Sequence, residues 1–131
     1  MANNLNNYHE QKKIEYTEKL REILSTMPTF CKDYFRAIDQ TSSAKTKLSY
    51  AYDIRLFFNY IVENNPLYKN KKITEFKIDE LNNIKVQDII EYQEYLKLYN
   101  SSDNKKVTNT EIGISRKLSA LRSFLNYYYK H

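Results

Sequence analysis

Apolar residues recur along this chain at helical spacing, and no stretch alternates convincingly in the two-residue period of a strand. The clearest pattern runs from Ser43 to about Asn64, where Tyr50, Ala51, Ile54, Phe57, Phe58, Ile61 and Val62 share one face of a helix. Asn64-Asn65-Pro66 ends it, because the residue before a proline is pushed out of the α region. An earlier helix, Tyr8 to Thr26, aligns Leu20, Ile23, Leu24 and Met27 and stops before Pro28, with Glu15 one turn ahead of Lys19 as a supporting pair. A short helix follows from Thr29 to Asp39, with Thr29 as its cap and Phe30, Tyr34, Phe35 and Ile38 as its apolar side. The polar run 39–43 reads as a loop that caps the next helix.

Beyond Pro66, residues 67–77 read as a basic connection around Lys69, Lys71 and Lys72, either loop or a short extended piece, and Ile78 to Ile84 as one helical turn. Val86 to Tyr99 forms the next helix, with Ile89, Tyr92, Leu96 and Tyr99 inward and Asp88 in the first turn, where it complements the helix dipole. Residues 100–107 are a polar loop. The last helix carries a capping-box match, Thr108-x-x-Glu111, and aligns Ile114, Leu118, Leu121, Leu125 and Tyr128. Gly113 weakens its first turn by roughly 1 kcal/mol relative to alanine, which favours a start one turn later. The expected fold class is all-α, a single domain of four to six helices joined by short polar loops.

Composition narrows the function classes. With 131 residues there is room for one modest core and no separate catalytic layer. One Cys excludes a disulfide framework and no zinc-ligand spacing occurs, so no metal or cofactor is called for and a reducing cytoplasm is the natural compartment. A single Gly argues against phosphate-cradling glycine loops. No apolar run approaches a membrane span or a signal peptide, so no membrane partner is expected. Most of the 13 tyrosines suit the edge of a core, with buried rings and hydroxyls that reach water; Tyr50 and Tyr52 are the ones placed to reach a phosphate.

The net charge of +5 is unevenly distributed: residues 1–40 sum to zero, 41–72 to +4, 73–104 to −4 and 105–131 to +5. If the fold brings the two basic segments together, they make one basic face suited to a polyanion. Lys45, Thr46 and Lys47, with Ser43 and Ser49, cluster at a helix start, where unpaired N–H groups and the dipole favour anions. On the last helix, Ser115, Arg116, Ser119, Arg122 and Ser123 share the polar side, with Lys117 alongside. Small hydroxyls permit close approach to a DNA groove, while Arg reaches phosphates or the guanine edge.

Three segments carry a resemblance: Ser43-Ala-Lys-Thr-Lys-Leu-Ser-Tyr-Ala-Tyr-Asp-Ile-Arg-Leu-Phe-Phe-Asn-Tyr60, the acidic stretches Ile73–Leu81 and Asp88–Leu96, and Arg116–Phe124. In this order they resemble the N-terminal, SAM-like core-binding domain of tyrosine recombinases and phage integrases, over about residues 14–129. The resemblance implies a SAM-like orthogonal bundle at residues 14–131, after an N-terminal extension at 1–13 that is partly disordered or helical. It also implies one half of a clamp on duplex DNA, with contacts from Lys45, Thr46, Lys47 and Tyr50 and from Ser115, Arg116, Lys117, Ser119 and Arg122. The implied partners are double-stranded DNA, a C-terminal catalytic domain of the same parent protein and other recombinase subunits on the site. Lys85, where the family often has Thr, and Gly113 depart from its pattern. The family's catalytic groups have no counterpart, since neither His9 nor His131 opens a His-x-x-Arg box, so no catalytic residue and no enzymatic activity are expected of the chain itself. Tyr127, Tyr128 and Tyr129 read as core and linker packing, because no arginine pair accompanies them to stabilise a phosphoryl transition state. The competing readings are a helical protein-interaction module and a small stand-alone DNA-binding regulator.

Overall fold

The computed structural model describes residues 2–68, 70–101 and 103–130, and side chains within 7–129 of that range. It is 74% helical, in line with the expected all-α bundle. Five α-helices succeed one another: α1 Ala2–Leu24, α2 Cys31–Ala37, α3 Ala44–Asn64, α4 Val86–Lys97 and α5 Glu111–Lys130. α3 is the central element and packs on α1, α5 and α4.

The helix ends follow local chemistry. Ser43 is extended, and its hydroxyl accepts the Thr46 N–H at 3.1 Å, which makes it the N-cap of α3. α2 has no side-chain cap; Cys31 N–H donates to the Pro28 carbonyl at 3.0 Å, so Thr29 does not play the expected role. α4 opens with the Asp88 carboxylate accepting the Lys85 N–H at 2.8 Å, half of a capping box that needs no threonine at 85. α5 is capped by Thr110, whose hydroxyl accepts the Gly113 N–H at 3.1 Å; Thr108 lies in a strand instead. A Cβ on residue 113 would sit 3.3 Å from that hydroxyl, so glycine leaves room for the cap.

Several boundaries differ from the sequence expectation. Where α4 was to run on to Tyr99, the chain turns into a small antiparallel hairpin, β1 Leu98–Asn100 with β2 Lys106–Thr108, Tyr99 facing Val107. Asn104 makes its turn at φ 60, a left-handed conformation that asparagine tolerates. The hairpin holds because Tyr99 stacks on Tyr95 at 4.7 Å and the Asn109 amide donates to the Leu96 carbonyl at 2.8 Å, closing the end of α4. Residues 67–77, read as loop or a short extended piece, carry short 3-10 turns at Pro66–Tyr68 and Ile73–Glu75, and the helical turn expected at 78–84 is a 3-10 helix at Ile78–Asn83; Lys69 lies outside the described residues. α1 starts at Ala2 rather than Tyr8 and passes through residue 13 without a break.

The core lies along α3. Ala51, Ile54, Phe57, Phe58 and Ile61 are buried, together with Leu20 and Ile23 of α1 and Ile114, Leu118, Leu121 and Phe124 of α5. Aromatic rings make the inter-helix joints: Phe58 meets Phe124 edge-on at 5.9 Å, and Phe57 meets Tyr92 of α4 at 5.0 Å. Tyr128 donates a 2.6 Å hydrogen bond to the Phe30 carbonyl, which ties the last turns of α5 to the start of α2.

Candidate nucleic-acid interface

α5 presents two sides. Ile114, Leu118, Leu121 and Leu125 are buried, which turns Ser115, Arg116, Ser119, Arg122, Ser123 and Asn126 outward along about three turns. This exposed side carries one carboxylate, Glu111, at its first turn. Among the described residues neither Arg116 nor Arg122 has a carboxylate within ion-pair distance, and the same holds for Lys45 at the start of α3. Both guanidiniums are therefore open to an external anion. Ser123 also meets the Tyr34 hydroxyl at 2.7 Å, and that phenol, pushed up by burial, lies near Tyr50.

The start of α3 is more occupied. The Ser43 hydroxyl and carbonyl take the N–H groups of Thr46 and Lys47, leaving those of Ala44 and Lys45 as the open donors of the first turn. Lys45 is exposed, whereas Thr46 and Tyr50 are half-buried. The Lys47 ammonium is held by the Asp39 carboxylate, and that contact keeps the Asp39 carboxyl below its ordinary range.

Lys117 is likewise committed. Its ammonium lies 3.8 Å from Asp53 of α3, and both side chains are nearly out of solvent. Burial pushes the Asp53 carboxyl up, opposed by Lys117 and by the nearby Arg116. The second Asp53 oxygen and the Tyr92 hydroxyl are both buried without a partner, and the Asp53 charge adds to the burial that pushes the Tyr92 phenol up. Lys117 and Asp53 thus link α5 to α3 directly beneath the exposed arginine side.

Of the residues picked out from sequence, Lys45, Ser115, Arg116, Ser119 and Arg122 stand at the surface, while Lys47 is paired with the exposed Asp39 and Lys117 with the buried Asp53. The structure adds Lys105 and Lys106, exposed on the hairpin just ahead of α5. Their signal was two consecutive lysines next to the turn residue Asn104, inside a segment read only as a polar loop. Tyr52 is exposed, with the Arg55 guanidinium 5.5 Å over its ring. Cys31 is buried, and burial pushes its thiol up, away from reactivity. No cluster of metal-ligating side chains occurs among the described residues, and no helix there is long and apolar enough to cross a membrane. Comparison with protein-family models, curated proteins and solved structures finds no match to this chain.

Proposed function

We propose that this chain binds duplex DNA through the outward side of α5, supported by Lys45 and the first turn of α3. One observation carries the reading: Arg116 and Arg122, with no carboxylate within ion-pair distance among the described residues, alternate with Ser115, Ser119 and Ser123 on the exposed side of α5. A helix of this kind fits a groove, because the hydroxyls let the backbone come close while each guanidinium spans to a phosphate or a base edge. Lys105 and Lys106 extend the positive charge to the hairpin. Lys47 and Lys117 then act as supports that fix the two helices, not as direct phosphate ligands.

The finer reading is the core-binding domain of a tyrosine recombinase or phage integrase, holding the site while a catalytic domain of the same parent protein and neighbouring subunits complete the reaction. Its support is the order of the three resembling segments, Ser43–Tyr60, Ile73–Leu96 and Arg116–Phe124. An arginine, a His-x-x-Arg box and a tyrosine encoded downstream of His131 would support it, and an unrelated downstream reading frame would overturn it.

The DNA reading is tested by fluorescence anisotropy on a labelled duplex. Binding should weaken steeply between about 50 and about 200 mM salt as condensed counterions are released. Arg116→Ala combined with Arg122→Ala should lower the salt slope by about two, roughly one per lost phosphate contact. Absence of binding at low salt, or an unchanged slope in the double variant, would sink the assignment.

A further inference from the structure

A groove of about 640 Å³ runs between α1, α2 and the start of α3, well away in sequence from the α5 arginines. Its apolar floor is small, a half-buried Leu24 beside the edges of the buried Leu20 and Phe35, and its rim carries Arg21, Lys32 and Arg36. Lys47, held on Asp39, also lines it. Arg36 pairs with Asp33 at an exposed distance of 3.1 Å, whereas Arg21 and Lys32 have no carboxylate within ion-pair distance among the described residues. Asp39 is the one acidic lining residue, and it is already neutralised by Lys47.

We infer that this groove docks an acidic amphipathic helix of a partner protein, one that carries two apolar side chains a turn apart with carboxylates beside them. Charge complementarity and the small apolar floor together favour this occupant. Carboxylates would satisfy Arg21 and Lys32 with charge-assisted hydrogen bonds, with Arg36, already paired with Asp33, adding to the positive rim. Apolar side chains would cover Leu24 and the edges of Leu20 and Phe35, the helix-in-groove mode of recognition. A duplex backbone would meet the rim and leave the floor in water, so the groove is better matched to a peptide than to a second stretch of DNA.

The test is a titration of the full chain, followed by backbone amide NMR, with a synthetic helical peptide bearing two leucines one turn apart and glutamates around them. Shifts should concentrate on α1 and α2. Replacing the leucines by serine, or the glutamates by glutamine, should each weaken binding about tenfold or more, which is about 1.4 kcal/mol or more. Arg21→Glu with Lys32→Glu in the chain should do the same. Equal binding of the serine peptide would mean charge attraction alone and would overturn the docking site, as would shifts that scatter over the surface. Duplex DNA that perturbs α1 and α2 more than α5 would also overturn it, and would separately contradict the α5 reading. DNA shifts on α5 together with no peptide response would remove only the groove. Should the charge-reversed chain not fold, the two control peptides on the unaltered chain still decide.

Discussion

Replacing Lys117 by methionine probes the link beneath the proposed interface. Methionine keeps the apolar stem and deletes the ammonium, leaving Asp53 as a buried carboxylate without its partner. Breaking a buried ion pair by removing one partner costs about 3–5 kcal/mol. The 3.8 Å separation is long for a strong pair, and Arg116 still attracts Asp53, so the lower end, about 3 kcal/mol, is expected. The pair itself is not a net asset, because burial lifts Asp53 despite Lys117. Asp53→Leu combined with Lys117→Met should therefore be neutral, or more stable than the parent by up to about 4 kcal/mol. The sign of the pH dependence follows from the same shift. A carboxyl raised above its ordinary 3.8 binds its proton more tightly when folded, so its contribution is full below that value and is lost as pH rises through the higher folded value. Lys117→Met removes an opposing attraction, so the loss should extend to higher pH, and the variant should approach the parent under acid conditions. Urea unfolding followed by circular dichroism across pH measures all of this. A Lys117→Met variant within about 0.5 kcal/mol of the parent at neutral pH, or a double variant weaker than that single one, would refute the reasoning.

Other expectations are simpler. Tyr92→Phe removes a buried hydroxyl that has no partner and should leave thermal stability unchanged or raise it by up to about 1 kcal/mol; a loss above that would reveal a missed hydrogen bond. Tyr128→Phe breaks the 2.6 Å bond to the Phe30 carbonyl, but that carbonyl also accepts the Asp33 N–H, so a cost of about 1 kcal/mol is expected by denaturant titration. Thr110→Ala should cost about 1 kcal/mol as a lost helix cap, whereas Thr108→Ala, in an exposed strand position, should cost clearly less; the reverse order would restore the Thr108 capping box.

The helices were legible in the sequence because their signals are local. The Ile54–Phe57–Phe58–Ile61 spacing and the Ser43 cap depend on residues within a turn or two of one another, and both appear as read. Leu98 and Tyr99 continue the helical period of α4, yet they are drawn into the hairpin by Asn109 and by Val107, whose pairing no helical pattern encodes. The site divides in the same way. The arginine and serine side of α5 could be read from spacing alone. That Lys117 spends its charge inward could not, since Asp53 reaches it only through the packing of α5 on α3, and the Lys47–Asp39 pair depends on how the connection between α2 and α3 turns.

The Asp53–Lys117 contact also acts as an index mark between two helices. A slide of α5 by one turn along α3 would bring Gly113 or Ile114, or Ala120 or Leu121, opposite Asp53 in place of Lys117. Each would leave the carboxylate buried without Lys117, a penalty the apolar surfaces alone would not impose, since leucines and isoleucines recur along α5 from Ile112 to Leu125. A pair that adds little to stability can therefore select among near-equivalent packings. By holding one alignment, it sets how far along α3, and at what angle around α5, Arg116 and Arg122 emerge from the surface.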